Sequence, residues 1–546
     1  MALQLQLDSV DWLLIAVALI GLYSILLFPL KNSEEWRSRG VSVGSLLGIP
    51  LAIFFRTTRG LNLLDKLARP KTFWRLVASA GIPLVILSMT YFLMLVLIMT
   101  YYMIQEPPMP SSYNAPRNIL LIPGLNEYIP FAWGWIALFV TMVVHEFAHG
   151  ILSRVEGVRV KSMGIVAVLI APIAAFVEPD EEELFGNKDK PPKVSRGARV
   201  RILSAGVISN FIVAAVAMAL FFGPVIGSIS PVDRLMVVDV QNGSAAQAEG
   251  FESSMVLLDV NGNRDLSLDQ FYSDLGASSA SMRVLYDDRE QILSLSGEPA
   301  RGIMVASIFQ DSPAEVAGLP ARSVISRIDG TEIVNLEGFR KHMNTTRPGQ
   351  IIAITTGQGN TYQVNLTAKE AASEDSGGFI GIGISGNAVL LGGVIFQEAP
   401  ARQFLQVLKA LPSSGMQGFT YMLSLPFAGI PGFTQKGFPG FSGWLTAVFE
   451  PSGWAEPLGA KFFWIANLLL WIGWINLYAG LFNCLPAVPL DGGHIFRDLV
   501  QSGFERIVRP QEAERFTKTT VAILTWLVLT SLLITLIAPF TNWLPI

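Results

Sequence analysis

The stretch TMVVHEFAHG, residues 141–150, places two histidines and a glutamate within five residues. Histidines at positions i and i+4 lie on one face of an α-helix, about one turn apart, so His145 and His149 can share one metal ion. The glutamate between them, Glu146, can act on a water molecule bound to that metal. The pattern H-E-x-x-H is short, and it also arises by chance as a pair of helix-surface histidines.

The residues around this stretch are typical of a membrane-spanning helix. The preceding segment, YIPFAWGWIALFV, contains no charged side chain. Ionisable groups inside a bilayer cost about 2.5 kcal/mol or more unless they are paired, so surface histidines are a poor explanation here. The sequence therefore predicts a metal site inside a membrane protein.

Two histidines do not complete such a site, because catalytic zinc usually takes three protein ligands and a water molecule. The segment NLYAGLFNCLPAVPLDGGHIF, residues 476–496, supplies another acidic group at the end of an apolar run. Its prolines and glycines break the helix, which is tolerated at membrane depth where the break lines a cavity. Asp491 lies in this break, and its alternative role is a helix N-cap. We interpret His494 as a neighbour of the site rather than a ligand.

The composition indicates a polytopic membrane protein. Of the 546 residues, 51% are hydrophobic and 15% are charged, whereas soluble domains carry about 25% charged residues. The net charge of −4 argues against nucleic acid as a partner, and the single cysteine excludes an intramolecular disulfide. Six segments are long and apolar enough to span a lipid bilayer: about 12–30, 79–104, 129–153, 201–226, 460–482 and 519–541.

Lysine and arginine set the orientation of these spans, because basic loops stay cytoplasmic. The connections 31–78, 154–200 and 497–518 are basic, which places them inside and the long segment 227–459 outside. The two helices that carry the motifs then both run from outside to inside. Both motifs reach the same depth, near the cytoplasmic face.

The short apolar run 163–177 fits this topology only as a re-entrant, non-spanning hairpin. Strand-forming residues lie on either side of Ala171 and Pro172. The hairpin either packs at the interface or offers an edge strand to which a substrate strand can add.

The outer segment contains an internal repeat. Residues 243–271 align without a gap on residues 311–339. A short helix, a strand, a turn, a second strand and a second helix fit each copy. The second copy resembles a bacterial PDZ domain through Gly302 and the Ser-Pro-Ala of residues 312–314. The first copy has Arg234 at the position of Gly302, which we expect to obstruct a peptide.

Together the motifs resemble those of the site-2 protease family of intramembrane zinc metalloproteases. H-E-x-x-H matches the family's first motif, and NCLPAVPLDGG at 483–493 matches its N-x-x-P-x-x-x-L-D-G motif. SAGVISNF at 204–211 resembles the intermediate Ala-Gly-x-x-x-Asn element, with Val207 in place of the usual proline. The resemblance covers about residues 129–500 and helps to favour the edge-strand interpretation of the hairpin.

The resemblance implies roles for seven residues. One zinc ion per chain is expected, and Glu146 is expected to be the general base. Asparagine amides at motif depth either hold the substrate backbone and the developing oxyanion or serve helix packing, and the PDZ glycine is expected to admit a peptide carboxylate. The residues are the zinc ligands His145, His149 and Asp491, the base Glu146, and the substrate-binding candidates Asn210, Asn483 and Gly302.

We therefore expect a polytopic α-helical membrane protein of about six transmembrane helices, with a re-entrant β-hairpin and two inserted extracytoplasmic α/β PDZ-like domains. The expected divisions are 1–128 (N-terminal helices and basic loop), 129–226 (first part of the catalytic core), 227–296 and 297–375 (the two PDZ-like domains), 376–459 (a membrane-surface linker), 460–500 (second part of the core) and 501–546 (C-terminal loop and helix).

The expected function is the cleavage of transmembrane segments of other membrane proteins, as in regulated intramembrane proteolysis, in a prokaryotic cell membrane. The PDZ pair filters or recruits substrate, and the active site lies near the cytoplasmic side. A transporter is the second possibility, but the sequence has no repeat between membrane halves. A catalytically dead PDZ scaffold is the third, and the intact Glu146 argues against it.

Overall fold

The computed structural model describes residues 9–541 except 32, 47, 112–113, 120, 169–170, 188–189, 265, 276–278, 287–288, 369–376 and 429–436. The chain divides into two compact units. The first comprises residues 1–221 and 468–546, and the second comprises residues 222–467.

The N-terminal part of the first unit combines long apolar helices with a small sheet. Its helices are α1 (Ser9–Lys31), α2 (Glu34–Ser38), α3 (Leu61–Leu67), α4 (Lys71–Gln105), α5 (Pro116–Ile119), α6 (Phe131–Glu156), α7 (Glu181–Phe185) and α8 (Arg196–Leu220). Its strands are β1 (Val41–Leu46), β2 (Ile49–Thr57), β3 (Val160–Val168) and β4 (Ala171–Pro179).

The four strands form one antiparallel sheet in the order β1-β2-β3-β4. The predicted hairpin is therefore present as β3 and β4, with its connection outside the described residues. Its partner hairpin, β1–β2, comes from the N-terminal region and pairs along β3, for example Phe54 with Val166. Among the described strands, β4 pairs only with β3, so its other edge is open in this sheet.

The second unit is rich in strands. Its strands are β5 (Ile229–Pro231), β6 (Leu235–Val240), β7 (Val256–Val260), β8 (Ala280–Tyr286), β9 (Arg289–Leu295), β10 (Ala300–Ile308), β11 (Val324–Ile328), β12 (Thr331–Glu332), β13 (Ile351–Thr356), β14 (Thr361–Asn365), β15 (Ile382–Leu391), β16 (Val394–Glu398) and β17 (Phe449–Pro451). Its helices are α9 (Ala245–Ala248), α10 (Leu268–Asp274), α11 (Pro313–Val316), α12 (Leu336–Met343), α13 (Ala401–Ala410) and α14 (Gly415–Ser424).

The sequence repeat appears as repeated elements. The short helices α9 and α11 each begin after a serine, Ser244 or Ser312, whose hydroxyl accepts a hydrogen bond from a backbone N–H three residues on. Each copy has its own core, one around Phe271 and Phe396 and the other around Ile325.

One sheet joins the two copies, because the hairpin β15–β16 adds a strand to each. β15 pairs with β10, and β16 pairs with β6. Both strands lie within residues 376–459, which the sequence analysis assigned to a linker. The sequence analysis did not predict β15 and β16, because they form by long-range pairing that the spacing of the repeat does not reveal.

Three helices complete the chain: α15 (Lys461–Asn483), α16 (Asp491–Phe504) and α17 (Pro510–Thr541). Among the described residues, five helical segments are long and apolar enough to cross a membrane: Lys71–Gln105, Phe131–Glu156, Arg196–Val225, Lys461–Asn483 and Pro510–Phe540. They correspond to five of the six predicted spans. The described apolar part of α1, Ile20–Lys31, is shorter.

Candidate active site

Helix α6 presents both histidines of the H-E-x-x-H motif to one cleft. The Nε2 atoms of His145 and His149 lie 3.1 Å apart. The helix continues for two turns beyond the motif and ends at Gly157, whose φ of 85° is the left-handed conformation that stops a helix.

The first residue of α16, Asp491, meets these histidines. Its Oδ2 lies 3.1 Å from Nε2 of His145 and 3.2 Å from Nε2 of His149. Within the described part of the chain, these three residues form the one group of three or more His, Cys, Asp or Glu side chains able to hold a metal ion. The sequence analysis predicted that the two motifs lie at the same membrane depth. In the structure, their ligand atoms lie within 3.2 Å of one another.

The dimensions of this group fit zinc. With Zn–N and Zn–O distances near 2.0–2.1 Å, two ligands of a tetrahedral site lie about 3.3 Å apart, close to the three separations above. Space beside the rings is kept by Gly206 of α8, where a Cβ would lie 2.6 Å from Nε2 of His145. The sequence analysis included Gly206 in the Ala-Gly-x-x-x-Asn element but did not assign it this role.

The second ring nitrogen of each histidine contacts α8. Nδ1 of His149 lies 2.8 Å from the carbonyl oxygen of Ile202, so it carries the proton and leaves Nε2 free to bind a metal. Nδ1 of His145 lies 3.1 Å from the Asn210 amide. Metal-binding histidines are usually oriented by such partners.

The orientation of the Asn210 amide follows from this contact. As placed, its Nδ2 faces Nδ1 of His145, while its Oδ1 is buried without a partner. Amide oxygen and nitrogen are assigned from the hydrogen-bond network, and a metal-bound His145 has a proton on Nδ1. Turning the amide over gives that proton an acceptor and satisfies Oδ1. Asn210 is fully buried, so this geometry favours a histidine-orienting role over the expected substrate contact.

The carboxylate of Glu146 is held by the sheet. Its Oε2 accepts a hydrogen bond from the backbone N–H of Val177 in β4, at 2.9 Å. The expected base therefore lies between the histidines and the open edge of this strand.

The cleft around these residues has a volume of about 560 Å³. Asn483 and His494 line it, as do Phe54 and Arg56 of β2. The Arg56 guanidinium stacks 5.3 Å from the Phe54 ring centre. Sequence reasoning missed these two residues, because only the β2–β3 pairing brings the N-terminal region here.

Two ion pairs hold the helix of Asp491 against α8. Arg199 donates two hydrogen bonds of 2.7 Å to Asp498, and both side chains are buried. Arg196 donates a 2.6 Å bond to Glu505 at the end of α16. The elements that carry the third ligand and the histidine partners are thereby fixed to each other.

Gly302, the third substrate-binding candidate, lies within the sheet of the second unit. It is buried in the middle of the sheet, paired with Ala388 of β15, and a Cβ there would collide with the carbonyl oxygen of Ile325 in β11. Its missing side chain allows close approach of neighbouring strands. Contact of Gly302 with a substrate carboxylate stays a prediction.

Comparison with known protein families gives a match over most of the chain. A model of peptidase family M50 matches residues 133–528, a range that includes both motifs. The chain belongs to peptidase family M50. The match leaves the β1–β2 hairpin outside it.

Individual relatives of this M50 protein are distant. It is 28% identical over 267 residues to an uncharacterized protein of Methanocaldococcus jannaschii, covering 49% of this chain and 64% of the relative. It is 24% identical over 416 residues to the regulator of sigma-E protease RseP of Escherichia coli, covering 66% and 88%. It is 22% identical over 417 residues to a putative zinc metalloprotease of Neisseria meningitidis, with the same coverage. Family membership and the apolar helices identify an integral membrane protein of a peptidase family.

Proposed function

We propose that this protein is a zinc-dependent intramembrane endopeptidase that cleaves transmembrane segments of other membrane proteins. The observation that carries the proposal is the convergence of His145, His149 and Asp491 beside Glu146, on helices apolar enough to span a bilayer. Zinc as the metal is supported by this ligand set and by the name of the Neisseria relative. The presence of one such ligand group among the described residues supports one ion per chain.

The chemistry is amide hydrolysis. Zinc bound by the three ligands would activate a water molecule and polarise the scissile carbonyl. Glu146 takes a proton from the attacking water and later donates it to the leaving amine. Asn210 keeps His145 in the metal-binding tautomer, and Asn483 lines the cleft, where its amide can contact the substrate backbone or the oxyanion.

The substrate is proposed to bind as an extended strand along β4. A helical peptide bond is shielded by its own hydrogen bonds, so a transmembrane helix has to unwind before it is cut. The open edge of β4 offers main-chain hydrogen bonds to an extended segment. The Val177 N–H points from this edge to Glu146, so an added strand would lie next to the base.

The second unit is proposed to contain two PDZ-like domains that filter substrates by size or recruit them. The distribution of basic loops supports an extracytoplasmic second unit and an active site near the cytoplasmic side. A prokaryotic membrane agrees with the sources of the relatives.

Exchange of Glu146 tests the function. Glu146→Gln is nearly isosteric but cannot accept a proton, so cleavage should fall by about 10²–10⁴-fold. The zinc content, measured by metal analysis of detergent-purified protein, should be unchanged. Cleavage of a panel of single-span membrane proteins lacking their ectodomains reports activity.

The matched control is Asp491→Ala, which should lose both zinc and cleavage. Turnover of the Glu146→Gln variant at the wild-type rate would exclude Glu146 as the general base. Full zinc occupancy in Asp491→Ala would remove Asp491 from the ligand set.

A further inference from the structure

The first unit contains a cavity of about 550 Å³ that shares no lining residue with the candidate active site. It lies where helix α4 begins and helix α6 ends, and a 3.2 Å ion pair between Arg75 and Glu156 joins these two ends. Both helices are long and apolar enough to cross a membrane. The cavity therefore lies at the ends of two membrane spans, on the side that the basic loops predict to be cytoplasmic.

Seven charged side chains line this cavity, and four of them form two ion pairs. Nε of Arg154 lies 3.2 Å from Oδ1 of Asp65, and Nζ of Lys193 lies 3.0 Å from Oε1 of Glu183. The other three are exposed cations that have no carboxylate partner among the described residues: Arg69, Lys71 and Arg159. The cavity therefore carries positive charge that no acidic group of the described chain balances.

Two further features of the cavity favour an anion. The Nε of Arg154 is buried without a hydrogen-bond acceptor among the described residues, since its contact with Asp65 is an ion pair that lacks hydrogen-bond geometry. No side chain caps the first turn of α4, which follows Pro70. The N-terminus of this 35-residue helix attracts negative charge through its free N–H groups and its dipole.

Exposed apolar side chains flank these cations along the chain. Leu67 ends α3 and is 39% exposed, while Phe73 and Leu76 lie in the first two turns of α4 and are 54% and 68% exposed. The indole N–H of Trp74 donates to the carbonyl oxygen of Leu67 at 2.7 Å, and tryptophan is enriched at membrane–water interfaces. A ligand with its anionic head in the cavity can therefore extend an apolar tail along α4.

We propose that this cavity binds the headgroup of an anionic phospholipid that carries two phosphates, as cardiolipin does. The guanidinium groups of Arg69 and Arg159 hold phosphate oxygens through paired hydrogen bonds, and Lys71 adds a point charge at the start of α4. Three unpaired cations exceed the single charge of one lipid phosphate, which favours a headgroup with two. The exposed apolar side chains favour a lipid over a soluble phosphate. Binding at this site requires neither zinc nor cleavage.

Titration of the full-length protein with cardiolipin in a non-ionic detergent tests the site, with native mass spectrometry reporting the bound lipid. A cation at a membrane surface contributes about a fivefold change in Kd, so a triple variant should bind about 100-fold more weakly. This cavity variant combines Arg69→Gln, Lys71→Gln and Arg159→Gln. Phosphatidylcholine, which has no net charge, should bind the unsubstituted protein far more weakly than cardiolipin.

The matched control combines Arg506→Gln, Arg509→Gln and Arg515→Gln. It removes three exposed cations around the start of α17, in another loop region that is predicted to be cytoplasmic. Its Kd for cardiolipin should equal that of the wild type, because the net charge falls by the same amount while the cavity is unchanged. Equal weakening in both triple variants would show attraction to net charge alone and would overturn the proposal.

Competition with inorganic pyrophosphate distinguishes a lipid from a soluble anion. Pyrophosphate at the same concentration should leave cardiolipin bound, because it has no acyl chain to lie along α4. Displacement by pyrophosphate would assign the cavity to a soluble anion and overturn the proposal, as would an unchanged Kd in the cavity variant.

Two measurements separate these outcomes from a folding defect and from the proteolytic function. The thermal midpoint of both triple variants without added lipid should equal that of the wild type. The comparison of cardiolipin with phosphatidylcholine needs no variant, and equal affinity of the unsubstituted protein for both lipids would also overturn the proposal. Because binding is measured without turnover, failure here is separate from failure of the proposed peptidase activity.

Discussion

At the scale of residues, the ligand atoms are oriented by contacts from a single helix. α8 supplies the Ile202 carbonyl oxygen to His149 and the Asn210 amide to His145, and Gly206 leaves space between them. A metal-binding ring needs such a partner to hold one tautomer and one plane. The geometry of the site therefore depends on α8 as much as on the helix that bears the histidines.

Two substitutions distinguish whether Asn210 accepts a hydrogen bond from His145 or donates one to it. Asn210→Ala removes the partner of His145 and should weaken zinc binding by about 10–100-fold. Asn210→Asp keeps an acceptor for the Nδ1 proton and should retain most of the affinity. Competition with a chelator of known affinity measures this difference.

Asn476→Ala is the matched control, since this buried asparagine of α15 donates to its own helix at Ile472. Its zinc affinity should equal that of the wild type. Equal loss of zinc in Asn210→Asp and Asn210→Ala would show that the acceptor is not sufficient and that Asn210 acts as a donor.

At the scale of elements, the position of Asp491 depends on how α16 is fastened. The buried Arg199–Asp498 pair joins it to α8, so removal of one partner leaves an unpaired buried charge. Asp498→Leu should cost about 3–5 kcal/mol of stability and lower the thermal midpoint. The double variant Arg199→Met with Asp498→Leu should recover most of the loss, because no charge is left unpaired.

Glu514→Gln is the control for this measurement. It breaks an exposed pair with Lys518, one turn away on α17, and such pairs contribute only about 0.3–0.5 kcal/mol. A double variant as unstable as Asp498→Leu would show that packing, and not the unpaired charge, causes the loss.

The open edge of β4 gives a second prediction at this scale. Antiparallel pairing alternates, so Ala175 points its N–H to the same open side as Val177, two residues away. Ala175→Pro removes that donor without removing a bond to β3. Cleavage should fall, with zinc content unchanged. Ala175→Val keeps the N–H and should cleave normally, whereas full activity of the proline variant would exclude strand addition at this position.

At the scale of the whole molecule, the shared sheet decides how the repeated region can be removed. An excision that ends at residue 375, the boundary expected from sequence, would remove β10 and β6, the strands that pair with the outer edges of the β15–β16 hairpin. The Arg234 carbonyl oxygen lies 2.8 Å from the Ala399 backbone N–H, so a short glycine linker can replace residues 235–398.

This excised protein distinguishes filtering from recruitment. A folded insertion restricts bulky substrates, so its removal should allow cleavage of a membrane protein that still carries its ectodomain. Cleavage of the trimmed form should continue. Gel analysis of both substrates reports the outcome, and loss of cleavage of the trimmed form would show instead that the region recruits substrate.

The sequence by itself determined the features that depend on local spacing. The pairing of His145 with His149 follows from the helical period, and five spans follow from long apolar runs. Membrane topology and the family resemblance predict Asp491 as the third metal ligand, because an acidic residue in a broken apolar helix needs a compensating partner. The internal repeat also follows from spacing alone, since both copies keep the same serine cap and glycine turns.

Only the tertiary structure decided which distant segments meet. Sequence spacing does not show that β2 brings Phe54 and Arg56 to the cleft, that Asn210 lies behind His145, or that β15 and β16 complete the repeated domains. Gly302 shows the same limit: the sequence shows that a glycine is present, and only the fold shows that a neighbouring strand approaches it closely. Hydrogen-bond ladders and helix contacts join residues far apart in the chain, so their partners are specified only when the whole fold excludes the alternatives.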